Sequence, residues 1–292
     1  MSDFIEGLRA KGSTSKHVSQ TDNQAKGVLQ LSGIENVGDL LPHKVQGAIG
    51  AIRAGGASPA TCNHCLLSVK SFSRWLMANG RVAVDSIQHL KADNVDVDRR
   101  RIRRVLADAE IAQLIPTAET GPTILGMPGP VRAMLYRTAL GTGFRASELG
   151  SLTPESFDLD GSPPTITVRA AHSKHRREDV QPVRRDLADM LRGWLAFKPG
   201  GVPVFDMPHK PATMIRRDLE AARDAWLRQG GDPDSDFLSY VDHAGNVANF
   251  HSLRHTSVTQ LANGGASIKT CQTLARHSNQ SLAFTLIPGC TT

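Results

Sequence analysis

Two arginines, one lysine and two histidines stand in the sequence where packing does not explain them. Arg145 lies in TGFRASELGSL, two residues after a glycine that ends a helix. His251 and Arg254 stand in HSLRH at helical i, i+3 spacing, and so share one helix face. Lys174 occupies the tip of a polar, basic turn, AAHSKHRRE, and His277 follows a short helix in LARHSNQSL. A planar guanidinium forms bidentate bonds to phosphate and stays charged at any physiological pH. A pair of them suits an oxyanion that gains charge during a reaction, while an ammonium and imidazoles can pass protons. The set therefore suits chemistry at phosphorus.

Positioning such groups takes a normal globular scaffold, and the chain can supply one. It has 292 residues, 40% hydrophobic and 21% charged, which fits two soluble domains and excludes a disordered chain. Lys plus Arg exceed Asp plus Glu by 34 to 28, so what matters is where the basic excess sits. No apolar run approaches the length of a membrane span, and the N-terminus has no apolar signal core, so a cytoplasmic location is expected. Four cysteines exclude a disulfide scaffold. Cys62 and Cys65 in CNHC invite a zinc reading, but no second pair follows at ligand spacing, and both fit an apolar helical stripe.

The spacing predicts a mainly α protein. Residues 58–79 read as an amphipathic helix entered at Ser58-Pro59 and stopped at Asn79-Gly80, with shorter helices over 22–31 and 43–54. Residues 1–95 form the expected N-terminal helical domain. A basic linker follows over 96–106, where Arg99, Arg100, Arg101, Arg103 and Arg104 crowd together. The second domain, 107–292, is expected to hold helices over 108–115 (capped by Asp108), 130–141, 184–197, 212–229, 252–263 and 267–275. Residues 164–169 alternate like a strand, with 179–183 as its partner.

Three segments in this order, ALGTGFRASELGSLTPESFDL, TITVRAAHSKHRREDVQPV and HSLRHTSVTQLANGGASIKTCQTLARHS, resemble the tyrosine recombinase (phage integrase) family. KGSTSKHV and TCNHCLLSVKSFSRWL resemble its N-terminal core-binding domain. The resemblance implies a SAM-like helical domain and an α-helical catalytic domain with a small β-sheet, the DNA breaking-rejoining enzyme fold. It implies site-specific DNA integration and recombination on a mobile element, with double-stranded DNA as partner. It also implies a homotetramer on DNA, a nucleoid-associated cytoplasmic location, and no cofactor or metal. By that resemblance Arg145 and Arg254 clamp the scissile phosphate, Lys174 is the acid for the leaving oxygen, His251 moves a proton and His277 bonds the phosphate. His175, Arg176 and Arg177 beside Lys174, with the linker arginines, are expected to contact the DNA backbone.

One departure stands out. The family's tyrosine nucleophile usually lies about nine or ten residues after the histidine matched by His277, where this chain has Leu286 and Ile287. The only tyrosines are Tyr136, in an apolar helix, and Tyr240, ahead of HSLRH; neither matches that position. Pro288-Gly289 would also stop the helix expected there. The expectation is DNA binding with impaired cleavage. The alternatives are a tyrosine donated in trans, or a non-catalytic protein that occupies or antagonises recombination sites. A metal-dependent nuclease is disfavoured by the lack of clustered carboxylates. A frameshift near residue 283 would account for the tail. It predicts a Tyr codon about ten codons after His277 in another reading frame, which the nucleotide sequence of the gene checks.

Overall fold

The computed structural model describes residues 1–98, 100, 102–173 and 176–276. Arg99, Arg101, Lys174, His175, His277 and the tail with Leu286 and Ile287 lie outside the described residues. The chain divides into two units, Met1–Arg100 and Arg101–Thr292.

In the first unit four helices, α1 (Ser2–Ala10), α2 (Ser15–Leu31), α3 (Pro42–Ala54) and α4 (Pro59–Ala78), surround one apolar core. Ser58 caps α4 by accepting from the Thr61 N–H at 3.3 Å, and Pro59 fills the first helical position, where its missing N–H costs nothing. The expected stripe of α4 is buried at Cys62, Cys65, Leu66, Val69, Phe72 and Leu76, and it meets Val18, Ala25 and Val28 of α2. Two features differ from the sequence reading. Thr14 accepts from the His17 N–H, so α2 begins at Ser15 rather than at 22. The unexpected α1 is held by Phe4, whose ring lies 5.4 Å from Phe72 and 5.9 Å from Trp75.

The second unit contains α5 (Asp108–Thr120), α6 (Gly129–Thr142), α7 (Ala146–Leu149), β1 (Phe157–Asp158), β2 (Thr165–Val168), β3 (Asp179–Pro182), α8 (Arg185–Leu195), α9 (Pro211–Arg228), α10 (Ser252–Asn263) and α11 (Ile268–Leu274). The three strands form an antiparallel sheet in the order β1-β2-β3, with Ile166 between Phe157 and Gln181 and Val168 opposite Asp179. β1 has only two residues, too few to show an alternating pattern. Ile166 and Val168 face a core built from Leu114, Leu135, Leu149, Leu152, Phe205, Met214, Leu219 and Leu253.

The start of this unit corrects two expectations. Residues 102–104 are bridged to Val247: the Val247 N–H donates to Ile102 O at 2.9 Å and the Arg104 N–H to Val247 O at 3.1 Å. Arg104 therefore leaves the exposed basic run. Its side chain is only 9% exposed, paired with Glu110 and donating to Asp236 O at 2.6 Å. Asp108 is not the cap of α5. Ala107 takes that position, and Glu110 reaches back to accept its N–H at 2.8 Å while also accepting from Leu238 N–H at 2.6 Å.

α6 is pinned to α9 by a buried ion pair. Asp218 accepts from Arg132 Nε and Nη2, both at 2.9 Å, and from the Tyr136 hydroxyl at 2.6 Å. The remaining guanidinium protons go to the carbonyls of Pro122, Met127 and Ala118, so the buried charge is fully bonded. Asp218→Ala would leave a buried, uncompensated guanidinium and should destabilise the second unit by about 3–5 kcal/mol. Tyr136→Phe should cost less, about 1.5–3 kcal/mol, as the loss of one hydrogen bond to a charged group. Urea denaturation of the two variants checks the order; equal losses would contradict it.

Candidate phosphate site

The site grows out of the turn that ends α6. Gly143 takes a left-handed φ of 64°, which a glycine adopts without penalty, and closes the helix with its N–H on Ala139 O at 2.9 Å. The chain then enters α7 with Arg145 as its N-terminal cap residue. Glu148, one turn on, accepts the Arg145 backbone N–H at 2.7 Å and its Nη1 at 2.9 Å. The Glu148 side chain is 1% exposed and that of Arg145 is 22% exposed. One carboxylate thus fixes both the main chain and the side chain of Arg145, and leaves part of the guanidinium facing solvent.

Arg254 arrives from the first turn of α10 and is buried. Nη1 donates to the Gly143 carbonyl and Nη2 to the Ala275 carbonyl at the end of α11. Burial lowers its pKa to about 9, aided by the nearby charges of Arg145 and Arg276 and opposed by Glu148. It remains charged at neutral pH.

His251 precedes Ser252 at the α10 entrance and is half-buried, its backbone N–H on Asn249 Oδ1 at 2.9 Å. Its ring meets His255 edge-on at 5.3 Å between centroids. Burial first, then Arg103, His255, Arg254 and Arg145, push the His251 pKa down to about 3. The imidazole is neutral and keeps a lone pair to accept a proton.

A third guanidinium completes the cluster, and the sequence reading gave it no role. Arg276 follows α11 with a φ of 51° and donates Nη2 to Glu148 Oε2 at 2.6 Å. Burial pushes the Glu148 carboxyl up, but the Arg145 N–H bond, the charge of Arg276 and the Arg145 guanidinium together hold it below its ordinary value. The signal for Arg276 was its place directly before His277 in LARHS. Nothing in its residue type distinguishes it from a surface arginine.

Of the other basic residues, Arg176 and Arg177 are exposed beyond β2, and Arg177 pairs with Asp179 at 3.4 Å. Arg103 is exposed overall, though burial of its guanidinium end lowers its pKa. Arg100 bonds Asp98 and donates to Gly56 O at 2.6 Å within the first unit. Tyr136 is fully buried on Asp218, which raises its hydroxyl pKa well above the ordinary value through burial and the Asp218 charge. The Tyr240 ring lies against the Arg216 guanidinium of α9 at 5.9 Å.

Residues 104–285 match the model of the Phage integrase family. The chain belongs to that family. It is 28% identical over 225 residues to the tyrosine recombinase XerC of Corynebacterium efficiens, covering 77% of this chain and 66% of that protein. It is 29% identical over 241 residues to XerC of Mycobacterium tuberculosis, covering 81% and 74%. Its fold is that of lambda integrase residues 75–356, solved as a dimer bound to a COC′ core site, at a TM-score of 0.70 and 16% identity over 100% of this chain and 95% of that one. The Tn1549 transposon integrase, solved with a circular-intermediate DNA, matches at 0.64 and 14% identity over 99% and 94%. Among the described residues of this integrase-family chain, no helix is long and apolar enough to cross a membrane.

The depressed His251 pKa gives a signed pH dependence. Between about 3 and the ordinary 6.5 the unfolded chain binds a proton that the folded chain does not. The stability associated with neutral His251 is complete above pH 6.5 and is lost as pH falls toward about 3. His251→Gln should therefore lose less stability than the parent between pH 7 and pH 5 in chemical denaturation. Identical losses would show that His251 is not held neutral.

Proposed function

We propose that this chain binds duplex DNA, seats a phosphodiester against Arg145, His251 and Arg254, and cleaves strands poorly or not at all by itself. The observation that carries the reading is the charge imbalance at Glu148. Its carboxylate bonds both Arg145 and Arg276, and the Arg254 guanidinium is buried close by on the carbonyls of Gly143 and Ala275. In a partly desolvated site that surplus of positive charge favours an anion, and still more a pentacoordinate phosphorane.

The roles follow the family resemblance. Arg145 and Arg254 bind the non-bridging oxygens. Neutral His251 accepts a proton from the attacking hydroxyl or returns it. Lys174 protonates the leaving 5′ oxygen, and His277 adds a bond to the phosphate. Arg176 and Arg177 on the exposed turn, with Arg103, extend the contact along the backbone. Strand cleavage needs a nucleophile to form the covalent intermediate. Tyr136 is locked on Asp218, Tyr240 lies against Arg216, and residues 277–292 contain no tyrosine. Clamp and acid alone polarise the phosphate without breaking the chain. The DNA complexes of the structural neighbours, one of them a lambda integrase tetramer on a Holliday junction, support duplex DNA as partner and a homotetramer on it. Such a protein would work in the cytoplasm on the nucleoid. It would occupy recombination sites, and would be rescued for cleavage only by a tyrosine supplied in trans.

Two measurements test this. Fluorescence anisotropy with a 30-base-pair duplex should show affinity falling steeply from 50 to 200 mM salt, and Arg145→Ala should lower the magnitude of the log–log salt slope by about one. A nicked suicide duplex should give no adduct resistant to detergent. An adduct would mean that the chain carries a working nucleophile. Salt-independent binding, or none, would remove the DNA reading.

A further inference from the structure

Arg276 lies at the meeting point of two parts of the second unit. Its side chain is 5% exposed and its guanidinium stacks over the Phe144 ring at 4.5 Å. On one side Nη2 donates to Glu148 Oε2 at 2.6 Å, the same oxygen that accepts the Arg145 backbone N–H. On the other side Nη1 stands 3.8 Å from Asp179 Oδ2. Asp179 opens β3 opposite Val168, and the same Oδ2 accepts the Ser173 hydroxyl at 2.8 Å. Ser173 directly precedes Lys174 in the chain. One guanidinium therefore joins the carboxylate that fixes Arg145 to the carboxylate that fixes the base of the β2–β3 turn. It does so from a left-handed backbone position, φ 51°, that glycine adopts more readily than arginine. A planar fork can span two carboxylates from one point in a way that an ammonium cannot.

We propose that Arg276 is a positioning residue that braces the arginine clamp against the β2–β3 hairpin, so that order in the hairpin is transmitted to Arg145 through Glu148. The consequence for phosphate binding rests on the reading given under Proposed function; the brace itself does not. The hairpin carries the expected proton donor, Lys174, and the clamp carries the expected phosphate ligand. A link between them would let one phosphate engage both together.

Backbone amide hydrogen exchange of the full chain tests the brace without DNA. Asp179→Asn should speed exchange at the Arg145 N–H by about tenfold in the parent background, the scale of coupling expected within one ion-pair network. In an Arg276→Gly background the same substitution should change that exchange by less than about twofold. Glycine suits the left-handed backbone at this position, and Arg276→Lys serves as a second background should Arg276→Gly fail to fold. An equal effect of Asp179→Asn with and without Arg276, or no effect in either, overturns the proposal. Duplex affinity supplies a second readout. Arg276→Gly should weaken binding of a 30-base-pair duplex, and should add no further loss in an Arg145→Ala background. Additive losses would mean that Arg276 touches DNA directly or only supports the fold, and would overturn a positioning role. If the parent binds no duplex, the phosphodiester reading fails, while the exchange experiment still decides the brace.

Discussion

The Glu148 carboxylate is the constraint on which the site depends. It is buried, and a buried carboxylate must be bonded or protonated. Here it stays ionised because the Arg145 N–H, the Arg145 guanidinium and Arg276 all converge on it. The same bonds start α7, aim the Arg145 side chain and tie the end of α11 to α7. Removing the carboxylate would therefore do more than release one arginine. It would leave two guanidiniums repelling each other in a poorly hydrated pocket, with Arg254 close by.

Backbone carbonyls serve a second function at this site. Arg254 is buried with its guanidinium on the carbonyls of Gly143 and Ala275, which are neutral dipoles. Carbonyls satisfy its protons and fix its orientation without cancelling its charge. A carboxylate in the same place would have competed with any incoming anion. Burial is the main cause of the depressed pKa values of Arg254 and His251, and the positive charges of neighbouring arginines add to it. In the proposed reading an anionic ligand would meet charges already fixed in place.

Much of this was legible in the sequence because its signals are local. Ser58-Pro59 fixed the start of α4, Gly143 the end of α6, and the spacing in HSLRH put His251 and Arg254 at the entrance of α10. What was not legible depends on contacts distant in sequence. Arg104 reads as one more linker arginine until Glu110 and Asp236 are seen to take its guanidinium. Asp108 has the residue type of a cap, yet Glu110 does the capping because its carboxylate is also needed by Leu238 and Arg104. Arg276 gains its meaning only from Glu148 and Asp179, far apart in sequence and close in space. α1 is held by aromatic packing against α4, which no periodicity of nine residues reveals.

In the proposed reading, holding a phosphate is a separate task from attacking it. Arg145 is positioned by Glu148, Arg254 by Gly143 and Ala275, and His251 by Asn249. None of these contacts involves a tyrosine. The two tyrosines of the chain serve the scaffold instead, Tyr136 as the hydroxyl partner of Asp218 and Tyr240 against Arg216. The cluster of Arg145, Arg254 and Arg276 around Glu148 therefore holds its arrangement without help from either tyrosine.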